Sequence, residues 1–290
     1  MGQRIVDAHM HLFTKQSNEF PRGVHELYGE ELTAHVEDYL PIADQCGVEH
    51  SVLVSLDDHD EYIASVLDRY PGRFSAVAVM DVGAEDPRAD LLRRLEMLPL
   101  VGFRVWTLGA NESLEIPPSY LHLLEAMQER GIAAWFYSDE LQQRALASVV
   151  ERFPELTIML NHLGFCQSGF ECDEWGRPRI STKIPPDSFA TVQRLAQHEN
   201  VAVMFSGQYA FSKTDYPYPD LQETGRMLLE AFGPERLVWA SDWPWISEVP
   251  GYRALLDLVP KQLPGISPSE LSQVMGGNAQ RLLGIEVQGQ

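Results

Sequence analysis

The stretch Ile5-Val6-Asp7-Ala8-His9-Met10-His11-Leu12-Phe13 decides between the two fold classes that the rest of the chain allows. Its first half is largely apolar, which is typical of a buried strand. A doubly wound sheet would need a glycine-rich turn directly after this strand. The stretch instead continues with two histidines and bulky apolar side chains, so it favours a closed barrel.

The same alternation extends along the chain, where short apolar runs are separated by amphipathic stretches. Because each parallel pairing of strands needs a crossover, this pattern predicts a parallel sheet. Eight such units fill a barrel of about 250 residues. We therefore predict an α/β fold, a (β/α)8 TIM barrel, in one domain over residues 1–290. The predicted strands are Ile5–His11, Ser51–Leu56, Ser75–Asp81, Val101–Trp106, Ile132–Tyr137, Thr157–His162, Val201–Ser206 and Leu237–Asp242.

The connections that follow strands are longer than most of those that lead back into a strand. The long ones are Thr14–Glu30, Thr107–Pro117, Leu163–Pro186 and Gly207–Pro219. In a barrel this asymmetry predicts that the functional site lies at the C-terminal mouth. The predicted helices are Glu31–Gln45, Asp60–Arg69, Arg88–Met97, Tyr120–Arg130, Glu140–Arg152, Asp187–Glu199, Leu221–Phe232, Tyr252–Gln262 and Pro268–Leu283.

The composition excludes a disordered chain and argues against nucleic acid and membranes as partners. Hydrophobic residues make up 44% of the chain, and acidic residues outnumber basic ones by 42 to 22, for a formal charge of −20. Such a surface repels phosphate backbones and anionic lipids. Three cysteines are too few for a disulfide framework, and the absence of a secretion signal predicts a cytoplasmic protein. A monomer and a homo-oligomer are both compatible with the sequence.

His9 and His11 lie at the end of the first predicted strand. Because residues two apart share a face of a strand, both imidazoles can converge at the barrel mouth. Such a pair suits a divalent cation or two donors to one oxygen. For this pair alone, two polar residues satisfied at a strand end are a simpler alternative. The other histidines are expected at the surface: His25, His35, His50, His59, His122 and His198.

Four further strands end in polar side chains on the face that counting by two predicts to be inward. Strand four carries Arg104 and Trp106, strand five ends in Tyr137, strand six in His162 and strand eight in Asp242. The inward rows leading to the last three are Ala133 and Trp135, Ile158 and Leu160, and Val238 and Ala240. Five strands that end in this way predict one shared site. Plainer alternatives are an ion pair for Arg104, a packed ring for Tyr137 and a loop cap for Asp242.

Five motifs carry a resemblance to a known family. They are Ile5–His11, Gly102-Phe103-Arg104, Asn161-His162-Leu163-Gly164, Phe232–Leu237 continuing to Ser241-Asp242-Trp243-Pro244, and Gly276-Gly277-Asn278-Ala279. In this order they resemble the amidohydrolase superfamily. They are similar to its amidohydrolase-2 branch, which includes sugar lactonases, 2-pyrone-4,6-dicarboxylate lactonase and aminocarboxymuconate-semialdehyde decarboxylase. The resemblance covers nearly the whole chain and implies a barrel enzyme, but it does not identify the substrate.

The resemblance leaves the need for a metal open. Metal-dependent members usually carry a histidine at the end of strand five, where this chain has Tyr137, and here it resembles lactonases that need no metal. One divalent ion such as Zn²⁺ is the alternative, since three ligands and a water suffice for catalytic zinc. Its candidate ligands are His9, His11 and Asp242, with His162 as a fourth. A binuclear site built on a carboxylated lysine is not expected, because no lysine lies on a predicted strand.

These residues together predict a hydrolase that opens a small anionic lactone. Asp242, as a carboxylate, would take a proton from the attacking water. His162 and the pair His9 and His11, with or without a metal, would stabilise the oxyanion. Alternatives are a metal-dependent non-oxidative decarboxylase, with the metal held by the same residues, and a non-catalytic binding barrel.

The remaining candidates would bind the small-molecule substrate. Arg104 would hold a carboxylate or sulfonate with its planar guanidinium, and Tyr137 would donate a hydrogen bond to a substrate oxygen. Aromatic residues would line the mouth and exclude water. They are Trp106 and Trp243, with Phe13, Trp245, Tyr209 and Tyr216.

Overall fold

A computed structural model describes residues 4–287 and confirms the predicted (β/α)8 barrel. The strands of the barrel are β1 (Ile5–Met10), β2 (Val48–Val54), β3 (Phe74–Val79), β4 (Leu100–Val105), β5 (Ala133–Phe136), β6 (Ile158–Leu160), β9 (Val201–Phe205) and β10 (Leu237–Trp239). They form one sheet in this order, and neighbouring strands within it are parallel. A small antiparallel hairpin, β7 (Glu171–Cys172) and β8 (Pro178–Arg179), lies in the long connection after β6.

Backbone hydrogen bonds just beyond β10 close the barrel against β1. The N–H of Asp242 donates to the carbonyl of His9 over 2.9 Å, and the N–H of His11 donates to the carbonyl of Trp243 over 2.8 Å. The closing seam therefore places the first and last predicted site residues side by side.

The helices cover the outside of the barrel. They are α1 (Val36–Gln45), α2 (Glu61–Arg69), α3 (Pro87–Met97), α4 (Pro118–Glu129), α5 (Glu140–Arg152), α6 (Phe189–Leu195), α7 (Gln208–Phe211), α8 (Gln222–Phe232), α9 (Tyr252–Leu256), α10 (Leu258–Gln262), α11 (Pro268–Ser272) and α12 (Asn278–Leu283). A five-residue π-helical segment, Gln273–Gly277, joins the last two. No helix of the described residues has the length and apolarity that would be needed to cross a membrane.

Three helix predictions need correction. The first helix begins at Val36 rather than Glu31, because Ala34 forms a bridge with Phe13 and holds the preceding chain extended. The predicted helix over 187–199 covers only Phe189–Leu195, and that over 252–262 is divided into two short helices. The hairpin and α7 were not predicted, since both lie inside long connections without a periodic pattern.

Small and β-branched side chains fill the barrel, as alternation predicts. Trp135 is the largest side chain in this interior. It fits because Gly102, on the adjacent strand β4, has no side chain; a Cβ atom there would lie 2.8 Å from the indole ring. The interior set is Val6, Ala8, Val52, Val54, Val77, Val79, Ala133, Trp135, Met159, Ala202, Met204, Val238 and Ala240.

Candidate active site

A β-bulge in β1 aims the two histidines into the mouth. Asp7 pairs with Ser51 and Met10 with Leu53, so β1 has one more residue than β2 in this interval. The extra residue lets His9 follow Ala8 on the inward side, and His11 then shares the face of His9 as predicted. Bulges of this kind commonly re-aim side chains beside functional sites.

The bulge leaves Asp7 outside the barrel, where it holds the chain that precedes Asp242. Its carboxylate is fully buried and accepts hydrogen bonds from the backbone N–H and hydroxyl of Ser241 and from the hydroxyls of Tyr252 and Tyr39. Burial raises the pKa of Asp7. The anchored chain then turns at Asp242, whose φ of +60° is uncommon for a residue other than glycine. Our sequence prediction missed this anchor, although a carboxylate inside an apolar strand is a signal for it.

Asp242 lies at the centre of the site. Its Oδ1 is 3.7 Å from Nε2 of His9 and 3.5 Å from Nε2 of His11, and its Oδ2 is 4.0 Å from Nε2 of His162. The hydroxyl of Tyr209 donates to Oδ2 over 2.6 Å. The structure therefore brings the four residues that we predicted to be catalytic into contact distance of one another.

Asp242 carries the charge in this cluster, and two of the imidazoles are neutral. Burial by itself raises the pKa of Asp242, but the surrounding imidazoles, that of His162 first, hold this pKa well below its usual range. Burial lowers the pKa of His162 to about 4. Burial, together with the neighbouring His11, lowers the pKa of His9 well below its ordinary value. At neutral pH the carboxylate of Asp242 therefore lies beside the neutral rings of His9 and His162, which suits proton transfer.

The predicted inward-facing row that leads to His162 along β6 is wrong. Met159, and not Ile158 or Leu160, faces the barrel interior, so counting by two along β6 does not lead to His162. The chain instead turns through two left-handed residues, with φ of +46° at His162 and +62° at Leu163. Counting by two fails because it assumes that the strand stays extended to its last predicted residue.

The backbone around His162 is packed closely. Its Nδ1 lies 3.1 Å from the hydroxyl of Ser206, at the end of β9. A Cβ atom at Gly207 would lie 2.9 Å from the same imidazole nitrogen, so a glycine is needed for this approach. The ring orientation is therefore set by two residues that we did not predict.

Arg104 is buried beside the cluster with its guanidinium unpaired. The side chain is 5% exposed, and its Cζ lies 4.2 Å from the ring centroid of Trp106. Within residues 4–287 the guanidinium makes no ion pair and no hydrogen bond to the protein. Burial lowers the pKa of Arg104 to about 10, which leaves it charged. The alternative role as a structural ion-pair partner therefore has no support in the described residues.

Tyr137 completes the polar wall next to Arg104. Its ring lies edge-on to His162 with the centroids 5.1 Å apart, and the Cζ of Arg104 is 5.4 Å from its centroid. Burial raises the pKa of Tyr137, so its hydroxyl remains a proton-bearing donor at neutral pH. The hydroxyl can therefore donate to an oxygen bound in the cavity.

His11, Arg104, Tyr137, His162 and Asp242 line a cavity of about 260 Å³, whereas His9 is fully buried and does not line it. Arg104 is its one arginine or lysine and Asp242 its one carboxylate among the described residues. Much of the wall is aromatic, which suits a small, flat or cyclic ligand. The aromatic lining residues are Tyr28, Trp106, Tyr137, Phe170, Tyr209, Phe211 and Trp245.

Trp243 does not line this cavity, which corrects our prediction. Alternation after Asp242 turns its side chain outward, where it packs on Tyr39 with the ring centroids 5.2 Å apart. Trp245, two residues later, takes the place in the wall instead. Phe13 and Tyr216, also expected at the mouth, do not line the cavity either.

One histidine that we expected at the surface is buried. His50 is 3% exposed on β2, where its ring nitrogens contact the carbonyl of Gly72 and the hydroxyl of Ser75. Its position in the sequence follows no pattern that distinguishes it from a surface histidine. His25, in the long connection after β1, is exposed as expected and also lines the cavity.

The cluster includes a group that distance alone would allow to hold a metal ion. His9, His162 and Asp242 offer ligand atoms that all lie within 4.8 Å of one another. His11, which we also predicted as a ligand, is not in this group, but it has the tautomer of a ligand, because it donates its Nδ1–H to the carbonyl of Val54 over 2.8 Å and leaves Nε2 without a proton. His9 does not fit, because its Nδ1 accepts a hydrogen bond from the indole of Trp135 and its proton must then be on Nε2.

Comparison with known proteins identifies the family of this chain and relatives that match most of its length. The family model described as amidohydrolase matches residues 6–285. The chain is 25% identical to the L-fucono-1,5-lactonase of Burkholderia ambifaria, over 94% of this chain and 93% of that protein. It is 23% identical to the 4-sulfomuconolactone hydrolase of Hydrogenophaga intermedia, over 82% of this chain and 74% of that protein.

A solved structure shows the same fold. The structure of this chain superposes, with a TM-score of 0.71, on the crystal structure of a Pseudomonas putida protein that is described as a putative 2-pyrone-4,6-dicarboxylic acid hydrolase. The superposition covers 99% of this chain and 100% of that one at 21% identity.

Proposed function

The chain belongs to the amidohydrolase family, and on that premise we propose that it is a hydrolase that opens a small lactone bearing one anionic group. The observation that carries the proposal is the Asp242 carboxylate, which lies among three imidazoles and beside the unpaired guanidinium of Arg104. The relatives named for lactone hydrolysis support the same reaction.

The hydrolysis begins with a proton transfer to Asp242. Because Tyr209 donates to Oδ2, the free Oδ1 accepts the proton of a water molecule while the water oxygen attacks the lactone carbonyl carbon. The N–H of His162 and the hydroxyl of Tyr137, which both face the cavity, stabilise the oxyanion that forms. The ring C–O bond then breaks, and the proton held by Asp242 passes to the departing alkoxide. The product is a hydroxy acid, and Asp242 is again a carboxylate.

Arg104 and the aromatic wall select the substrate. An arginine binds a carboxylate or sulfonate through two parallel N–H···O bonds, and Arg104 has its donors free. Because the cavity contains no second arginine or lysine among its described lining residues, it matches a ligand with one anionic group. Trp106 and Trp245 provide flat surfaces for the ring.

We also propose that the protein acts in the cytoplasm. The three cysteines, Cys46, Cys166 and Cys172, are free thiols, which is the usual state in a reducing compartment.

Burial raises the pKa of Cys166 to about 11, so this thiol is a poor nucleophile despite its nearness to His162 in sequence.

The proposal is tested on a panel of neutral, carboxylated and sulfonated lactones, with acid release measured at constant pH. We expect turnover by the wild type and a loss of about 10²–10⁴-fold in kcat for Asp242→Asn, because an amide cannot accept the proton. Asp86→Asn, at the N-cap of α3, is the matched control and should retain full activity. Equal rates for wild type and Asp242→Asn, or no turnover of any lactone, would overturn the proposal.

The decarboxylase alternative is distinguished in the same preparation. It requires a metal held by His9, His11 and Asp242, and His9 is the residue whose hydrogen bonding does not fit that role. Release of carbon dioxide from carboxylated substrates, abolished by a chelator, would favour it over lactone hydrolysis.

A further inference from the structure

A single hydrogen bond inside the barrel determines which nitrogen of His9 carries the proton. The indole Nε1 of Trp135 lies 3.0 Å from Nδ1 of His9, and both side chains are fully buried. An indole N–H can only donate. His9 must therefore accept at Nδ1, and its own proton is on Nε2.

The next hydrogen bonds agree with this assignment. Nε2 of His9 lies 3.2 Å from Nε2 of His11, and Nδ1 of His11 lies 2.8 Å from the carbonyl of Val54. Because a carbonyl can only accept, His11 carries its proton on Nδ1 and accepts at Nε2. The bonds run in one direction, from the indole through both imidazoles to the carbonyl, and every donor meets an acceptor.

The two histidines are thereby prepared for different chemistry. A metal-binding histidine usually donates its second N–H to a carbonyl, carboxylate or water, and this leaves the ligating nitrogen unprotonated. His11 has that arrangement toward Val54. His9 has the reverse, since its inward Nε2 bears a proton and points to His11 and Asp242.

The packing holds Trp135 in this position. Its ring occupies the space that Gly102 leaves on β4, where any Cβ atom would come within 2.8 Å of it. The bond to His9 spans 126 positions in the chain and crosses the barrel interior. The indole cannot turn away without displacing the core around it.

We propose that Trp135 is a positioning residue that makes His9 a hydrogen-bond donor toward His11 and prevents His9 from serving as a metal ligand. His9 then holds the ring of His11, and His11 rather than His9 lines the cavity. A contact between His11 and a lactone rests on the proposed function, whereas the tautomer and the metal preference do not depend on it.

The tautomer is measured directly in the wild-type protein. We expect ¹⁵N spectra of labelled histidine side chains to show His9 protonated at Nε2 and unprotonated at Nδ1, with its signals identified by their loss in His9→Gln. A proton on Nδ1 of His9 would overturn the proposal, whether or not any lactone is hydrolysed.

Zinc binding to Trp135→Phe is the second test, because phenylalanine removes the donor and keeps an aromatic ring. With Nδ1 released, His9 can shift its proton and offer Nε2, so we expect Zn²⁺ affinity to rise by about tenfold or more over the wild type. The affinity is measured by competition with a chromophoric indicator.

Trp239→Phe is the matched control, since Trp239 is also buried but donates to the carbonyl of Leu255 outside the cavity. It should bind zinc as the wild type does. Equal zinc affinity in Trp135→Phe and wild type would contradict the proposal. If Trp135→Phe does not fold, as judged by circular dichroism, the spectra of the wild type decide alone.

Discussion

The guanidinium of Arg104 is the side chain whose placement is hardest to explain without a ligand. A buried charge without a partner is costly, because the group loses its hydration and gains nothing in return. Arg104 is buried against Trp106 and Tyr137 and lines the cavity with its donors unused. A bound anion would supply the missing partner, and this explains why the cost is tolerated.

We expect Arg104→Met to raise KM for carboxylated or sulfonated lactones by about 10- to 100-fold, the range for a lost charge-assisted hydrogen bond. The kcat should change little, because Arg104 binds the substrate away from the reacting carbonyl. Steady-state kinetics on matched anionic and neutral lactones measure this effect.

The control is Arg226→Met, since Arg226 lies exposed on α8 and pairs with glutamates on its own helix. It should behave as the wild type on both substrate classes. If neutral lactones suffer as much as anionic ones in Arg104→Met, Arg104 has a structural role.

The C-terminal helical segment packs so closely against β1 that it supports the strand on which the two site histidines lie. At Gly276, in the π-helical segment, a Cβ atom would collide with the carbonyl oxygen of Arg4 and lie 3.0 Å from the backbone nitrogen of Val6. Asn278 donates to the carbonyls of Pro234 and Leu237 over 2.7 and 2.8 Å and ties the same segment to β10.

We expect Gly276→Ala to lower the free energy of unfolding by about 1–3 kcal/mol, since the atoms that it meets are backbone and cannot move aside. Urea denaturation measures the change. Gly277→Ala is the matched control, because the nearest atom to its Cβ would be the carbonyl oxygen of Ser272 at an ordinary 3.6 Å. A loss of the same size in both variants would show that the contact with β1 is not the cause.

The stability of the whole protein should depend on pH through His50. Burial lowers the pKa of His50 from 6.5 to about 4. The unfolded chain therefore binds a proton on His50 at a higher pH than the folded protein does. The resulting contribution to stability is complete above about pH 6.5 and is lost as the pH falls toward 4.

Between pH 7.5 and 5 we expect the free energy of unfolding to fall by about 2 kcal/mol on account of this residue. Urea denaturation of wild type and His50→Gln at both pH values isolates the effect, because glutamine does not titrate. A decrease of the same size in the variant would contradict the assignment to His50.

The order of strands and helices, and the bounds of the eight barrel strands to within three residues, could be predicted from the chain because those signals are local. Alternation by two placed Tyr137 and Asp242 correctly, and the spacing of His9 and His11 put both on one face. Hydrophobic periodicity depends only on neighbours in sequence, so it can be recognised without information about distant parts of the molecule.

The interactions that control the chemistry arise between segments far apart in the chain, and local patterns do not encode them. The indole of Trp135 reaches His9 across the barrel, Asp7 anchors the chain before Asp242, and His162 arrives through a left-handed turn. Each depends on closure of the barrel and on how its interior packs. For that reason the residue types at the site were predictable, whereas their partners, protonation and exact directions emerged only from the folded arrangement.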